Sequence, residues 1–320
     1  MANRINVSDF SLAATLECGQ AFRWQRAADG WFEGIVGREI WHLRQFGDAL
    51  EWLVEGQAPA WLPAVATSPT AAVTQKRDPP RRLQHYLALD VSPGKVLATF
   101  PNDPLLRQAI RDHHGLRVIR QEPWECLASF IASSTKQIVQ IRQIVGLLAQ
   151  RFGEPIHGAH HAFPTVSAIA RASHKQLWEC KLGFRAKNLL AAAGMIDGGK
   201  LDLNALRSME YDRALEELTR LPGVGEKIAN CVLLFACGFD QAFPIDVWIE
   251  RALRRIYFPG KKRVTHSQLR VFTRSHFGPY AGWAQQYLFF NERSQKVRKR
   301  KAGSGKWKRK AGSGKRRERA

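Results

Sequence analysis

No stretch of this 320-residue chain approaches the roughly 18 consecutive apolar residues of a membrane-spanning helix. The opening segment, MANRINVSDFSLAATLECGQ, lacks the continuous apolar run and small-residue cleavage site of a secretory leader. Cysteine is scarce and odd in number, at Cys18, Cys126, Cys180, Cys231 and Cys237. Scattered thiols of that kind fit a reducing compartment rather than a disulfide framework. The expected location is therefore the cytoplasm and nucleoid, or the nucleus in a eukaryote. Ligand spacing for zinc is missing too, since His113-His114 and His160-His161 are adjacent pairs. Neither a metal nor a cofactor is called for. Acidic residues are in short supply: 28 Asp and Glu stand against 49 Lys and Arg, for a formal charge of +21. A densely anionic partner follows, and without a membrane segment nucleic acid is the better fit.

The positive charge is unevenly spread. Residues 294–320 hold 13 Lys and Arg against one Glu, and repeat KRKAGSGK twice. With almost nothing to form a core, this segment reads as a disordered basic tail, a non-specific phosphate tether or a solubilising appendage. The remainder still carries about +9, so the globular part is basic in its own right.

Hydrophobic periodicity divides the rest. Residues 22–56 alternate apolar and polar side chains, with turn signals at Asp29-Gly30, Gly37 and Gly47-Asp48, which predicts an antiparallel meander of about four strands. A proline-rich connector follows, from Pro59 to Pro79-Pro80. Short helices are expected near 83–90 and 103–113, and from Glu122 the period becomes helical. The sequence predicts helices over 166–172, 173–181, 185–195, 211–220, 225–237, 247–257, 266–276 and 280–291. The fold class is α+β, with domains at 1–115 (β-rich), 116–292 (helical) and 293–320 (basic tail).

Within the helical part, YDRALEELTRLPGVGEKIANCVLLFAC is helix, glycine hairpin, helix. Gly223, Val224 and Gly225 make a tight turn whose following helix opens with unpartnered N–H groups, a place for a phosphate. Lys227 stands in the first turn of that helix, above an apolar wall. The helix dipole and the wall both favour a neutral amine, the form a nucleophile needs. A lysine there can equally reach solvent or pair with a phosphate. Asp246, in FPIDVW, is a natural N-cap and also a carboxylate beside a helix start. An amine and a carboxylate over a DNA-gripping hairpin suit attack at a sugar C1′.

LPGVGEKIANC followed by FPIDVW resembles the helix-hairpin-helix/Gly-Pro-Asp DNA glycosylases. The similarity is closest to the 8-oxoguanine DNA glycosylases, through CGQAFRW (18–24), CLASFIASS (126–134), LGFRAKN (182–188) and FGPYAGWAQQYLFF (277–290). It spans about Cys18 to Asn291. The resemblance implies a TATA-binding-protein-like antiparallel sheet packed on an all-α body, with the active site in the cleft. It also implies a bifunctional glycosylase and lyase acting on duplex DNA that contains an oxidised purine. Lys227 would displace the base and Asp246 would assist. Gly19 would offer its carbonyl to the N7 hydrogen of 8-oxoguanine, Gln285 would meet the Watson–Crick edge, and Phe289 and Cys231 would sandwich the ring. Phe184 and Arg185 would enter the duplex. Trp248 stands where the family usually carries a phosphate-contacting histidine, and Thr135-Lys136-Gln137 and Gln140 replace an asparagine run and an arginine that read the opposite cytosine. A monomer is expected.

Three other readings compete. The endonuclease III branch adds a four-cysteine iron–sulfur loop, and this chain has no cysteine after Cys237. The alkylated-base branch usually lacks the lysine and leaves the strand intact. A non-catalytic architectural DNA binder would need neither Lys227 nor Asp246.

Overall fold

The computed structural model describes residues 2–57, 79–261 and 263–295. Most of the proline-rich connector, and the tail from residue 296, lie outside the described residues. Five strands, β1 (Asn3–Asn6), β2 (Trp24–Arg26), β3 (Phe32–Val36), β4 (Arg38–Phe46) and β5 (Ala49–Gln57), form one antiparallel sheet in the order β1-β5-β4-β3-β2. The last four are the expected meander, and its turns fall at the three predicted signals. The fifth, β1, was not expected and pairs with β5 along the edge. One face of the sheet is apolar, carrying Phe32, Val36, Trp41, Leu43, Leu50 and Trp52. The helix Pro79–Tyr86 closes over it through Leu83 and Tyr86, and Trp24 Nε1 donates to the Tyr86 hydroxyl at 2.8 Å.

Gly34 lies opposite Trp24 in the β2–β3 pair, with the indole filling the place where a side chain would project. A methyl group there would stand inside the ring. Gly34→Ala should therefore cost about 2–3 kcal/mol by overpacking and lower the thermal unfolding midpoint by several degrees. An unchanged midpoint in a melting experiment would show that the indole relocates freely.

The helical part is organised around two cores. The first joins helices Pro123–Ser133, Ile138–Phe152, Arg185–Asp197, Tyr211–Thr219 and Glu226–Val232 through residues such as Phe130, Ile144, Leu148, Leu189, Leu218 and Val232. The second joins Pro104–Asp112, Val247–Tyr257, His266–Phe277 and the helix over 281–295, through Leu106, Ile249, Leu253, Leu269, Phe277 and Leu288.

The short helix Leu12–Glu17, also absent from the sequence expectations, ties sheet to body. Ser11 caps it, its hydroxyl accepting from Ala14 N. Leu12 and Leu16, four residues apart and so on one face, enter the sheet's core. Ala14 and Cys18 point the other way, into the second helical core. The chain thus leaves this helix at the boundary of both cores, and Gly19 is delivered there.

Candidate active site

The hairpin falls where the sequence places it. Tyr211–Thr219 is followed by Gly223, Val224 and Gly225, then by Glu226–Val232. Val224 is buried, and Gly223 (φ +78°) lies against the Asn188 side chain. Gly225 is the N-cap and supplies no side chain, so nothing of its own covers the first N–H groups. The first turn is braced from outside. Glu226 pairs with Arg270 and, at 3.6 Å, with His266. Asn230 donates to the Glu226 carbonyl and accepts from the Tyr211 hydroxyl at 2.6 Å.

On that helix Lys227 is half-buried, and its Nζ lies 4.8 Å from the centre of the Phe130 ring. Phe130 stacks on Phe235 at 5.6 Å and takes the edge of Phe22 at 5.5 Å. One turn beyond Lys227 lies Cys231, whose thiol is pushed up to about 11 by burial. The nearby lysine ammonium opposes that rise, and the Asp246 carboxylate adds to it. Asp246 caps Val247–Tyr257, with Oδ1 accepting from Trp248 N at 3.0 Å and Ile249 N at 2.8 Å. Burial raises the Asp246 carboxyl above the usual aspartate range; the two cap N–H groups and the Lys227 charge pull the other way. Amine, thiol and carboxylate thus share one electrostatic neighbourhood. The first two come from the first helical core. The carboxylate comes from the second, where Ile245 and Ile249 flank it.

A second group gathers around Gly19. Its φ of +93° is a left-handed conformation that glycine tolerates and a side chain resists. A methyl on it would sit 2.7 Å from Arg293 Nη1, 2.8 Å from Ile138 Cδ1 and 3.5 Å from Phe289 Cε1. Gln20, fully buried, fixes this loop: Nε2 donates to the Thr15 and Arg117 carbonyls, and Oε1 accepts from Ile119 N. Gln285 is 4% exposed, yet its Oε1 has no partner among the described residues. The two groups meet through the 18–22 loop, because Phe22 reaches Phe130 under the lysine.

Residues 3–127 match the family model described as 8-oxoguanine DNA glycosylase, N-terminal domain, and 128–274 match HhH-GPD superfamily base excision DNA repair protein. The chain is 32% identical over 218 residues to a probable N-glycosylase/DNA lyase of Methanothermobacter thermautotrophicus, covering 61% of this chain and 69% of that one. It is 29% identical over 304 residues to N-glycosylase/DNA lyase OGG1 of Arabidopsis thaliana, covering 90% and 79%. The solved 8-oxoguanine glycosylase/lyase of Clostridium acetobutylicum, bound to duplex DNA with cytosine opposite 8-oxoG, superposes with a TM-score of 0.79 at 28% identity, covering 92% of this chain and 98% of that one. The chain belongs to the 8-oxoguanine DNA glycosylase family.

Of the glycosylase's remaining candidate residues, Phe184 and Trp248 are exposed and Arg185 is buried. Phe184 is 56% exposed, and the Arg185 guanidinium lies 4.2 Å from its ring centre. Arg185 itself is only 3% exposed and turned inward. Nε donates to the Ser134 carbonyl at 2.8 Å, Nη2 to Thr135 Oγ1 at 2.5 Å, and Nη1 to the Leu182 carbonyl at 3.1 Å. Its side chain is thus spent on holding the 134–135 loop, where Thr135 has a φ of +57°. Trp248 is 38% exposed, with Arg251 6.0 Å from its ring. Phe130, Gln20 and Arg293 were not singled out in the sequence. Phe130 lies in the CLASFIASS motif, which was the signal available for it.

Proposed function

We propose that this chain is a bifunctional DNA glycosylase and lyase that excises 8-oxoguanine from duplex DNA, with Lys227 as the nucleophile. The observation that carries the reading is the shared neighbourhood of Lys227, Cys231 and Asp246; the unpaired buried acceptor Gln285 Oε1 supports it separately.

The free N–H groups after Gly225 take a backbone phosphate. A base flipped from the stack needs aromatic contact and specific hydrogen bonds in return, which Phe289 and Gln285 supply. Guanine's N1–H and N2–H donors match the lone Gln285 Oε1. Leaving that acceptor unmet costs about 1–3 kcal/mol, and binding the base recovers it. The Gly19 carbonyl accepts the N7 hydrogen of 8-oxoguanine, which guanine lacks; an unpaired carbonyl of this kind is worth roughly one to two powers of ten in selectivity. Lys227 Nζ then attacks C1′ as the bond from C1′ to N9 breaks. Asp246 stabilises the positive charge that develops on the sugar. The aminal so formed loses its Nζ proton and opens its C1′–O4′ bond to give an iminium; the C2′ proton then leaves and β-elimination expels the 3′ phosphate, breaking the strand 3′ to the lesion. Ring-opened purines that keep the same hydrogen-bonding edge are candidate second substrates. The partner is double-stranded DNA, met by a monomer.

Borohydride trapping on a duplex carrying 8-oxoguanine tests the assignment, since it reduces the imine to a permanent adduct. A covalent protein–DNA band is expected. Base release without a band would move the chain to the monofunctional, alkylated-base type of chemistry, and tight binding without release would make it an architectural DNA binder.

The opposite strand is treated differently. With Arg185 committed to Ser134 and Thr135, and Gln140 Oε1 accepting from Gln137 N at 3.0 Å at the start of its own helix, the arginine is not free to read cytosine and the glutamine is held only through its oxygen. Single-turnover rates for 8-oxoguanine opposite cytosine, thymine and guanine should agree within roughly tenfold, less than one well-made base contact provides. A preference for cytosine of a hundredfold or more would mean that Arg185 swings out on binding.

A further inference from the structure

Arg293 stands where the composition turns basic, yet it belongs to the body. It lies on the helix over 281–295, one turn past Phe289 and two past Gln285, so the three share a face. Its guanidinium is 5.1 Å from the ring centre of Phe290 and 6.0 Å from that of Phe289. Nη2 donates to the Glu17 carbonyl, at the end of the helix that delivers Gly19. Nη1 is buried and has no hydrogen-bond partner among the described residues. The point that a Gly19 methyl would occupy is 2.7 Å from this Nη1 and 3.5 Å from Phe289 Cε1. The unused donor therefore sits beside the glycine, against the ring on which the base is to lie.

We propose that Arg293 forms the far end of the base pocket and donates from Nη1 to the C8 carbonyl oxygen of the flipped 8-oxoguanine. The assignment rests on the pocket described under Proposed function. Gln285 and Arg293 are eight residues apart, about 12 Å along the helix axis, with Phe289 between them. Side chains lean toward the helix N-terminus, which brings the guanidinium back over Phe289. A purine laid on that ring with its N1–N2 edge at Gln285 presents O8 at the opposite end. Gly19 meets N7–H, the atom next to C8. The lesion then offers a donor to a carbonyl and an acceptor to a guanidinium, and guanine has neither the N7 hydrogen nor the O8 atom. Burial lowers the Arg293 pKa, and the neighbouring Arg142 charge works in the same direction, while Cys18 and Glu17 oppose it. Arginine keeps its proton under such pressure, so the donor persists. No counter-charge is spent on Nη1, which suits a neutral carbonyl partner.

The test compares 8-oxoguanine with its 8-thio analogue, which keeps N7–H and replaces O8 by a weak sulfur acceptor. Single-turnover base release is measured for wild type, Arg293→Leu and Arg293→Lys, each normalised to the same protein's nicking of a preformed abasic site. Sulfur should slow the wild type roughly tenfold or more and Arg293→Leu less than about threefold, with Arg293→Lys between them. Sulfur's larger size cancels in that comparison. An equal sulfur penalty in all three proteins overturns the proposal. So does a loss in Arg293→Leu shared by base release and abasic-site binding, which would assign Arg293 to a DNA phosphate. If the wild type releases no 8-oxoguanine at all, the base pocket falls with it; if it does and the sulfur effect is uncoupled from Arg293, only this inference falls.

Discussion

Lys227→Gln should reduce 8-oxoguanine release under single-turnover conditions by at least roughly three orders of magnitude and abolish the borohydride adduct. Glutamine keeps most of the length and polarity of lysine but cannot form an imine. Its backbone position, opening Glu226–Val232, is held by contacts that do not involve the lysine side chain: Arg270 and His266 on Glu226, and Asn230 on the Glu226 carbonyl. The loss of the cation–π contact with Phe130 should cost only about 0.5–1 kcal/mol of stability. Affinity for the lesion duplex should stay within about tenfold of wild type, because the hairpin backbone and the base-facing side chains are untouched. Nicking of a preformed abasic site should fall with base release, since the proposed mechanism runs both through the same amine. If base release survived at near wild-type rate while nicking vanished, water would be the glycosylase nucleophile and Lys227 would serve the lyase step alone.

That experiment depends on a contact the sequence does not disclose. Phe130 and Lys227 are distant along the chain, and only the packing of Pro123–Ser133 against Glu226–Val232 brings ring and ammonium together. Local features were legible. Asp29-Gly30, Gly37 and Gly47-Asp48 mark the turns because their backbone demands are local, and Asp246 marks the start of Val247–Tyr257 because its carboxylate caps it. Strand β1 escaped notice because four residues reading Asn-Arg-Ile-Asn have no apolar alternation; pairing with β5 alone makes them a strand. Leu12–Glu17 is too short for a helical period to stand out, and tertiary burial of Leu12 and Leu16 stabilises it. Arg293 was hidden by composition: a basic run reads as solvated charge, while the helix over 281–295 carries this arginine back against Gly19. The motifs locate the site's chemistry, and the seam between the two helical cores sets its geometry.

Asp246→Asn separates the observed cap of this carboxylate from the catalytic role proposed for it. As an N-cap, asparagine is about as good as aspartate, and its amide oxygen can accept from Trp248 N and Ile249 N in the same way. Stability near pH 7 should therefore change by less than about 1 kcal/mol. The charge is the part that is lost, and with it the stabilisation of a cationic sugar; base release should fall by roughly two to three orders of magnitude. The pH profile gives a sharper check. Burial, the largest influence, raises the Asp246 carboxyl above the ordinary aspartate value, against the opposing cap N–H groups and Lys227. A raised carboxyl in the folded state takes up its proton at a higher pH than in the unfolded chain. Its contribution to stability is thus fully present below the unfolded value and is lost as pH rises through the folded one. In the proposed mechanism catalysis runs in the opposite direction, since the ionised form is the useful one. The acid limb of base release in the wild type should lie above the normal aspartate range, and this limb should be missing from the residual activity of Asp246→Asn. Melting curves of the two proteins across the same pH window should converge at low pH, where Asp246 is protonated and resembles the amide. If the acid limb persisted unchanged in the asparagine variant, some other acid would govern it, and Asp246 would be left with its cap alone.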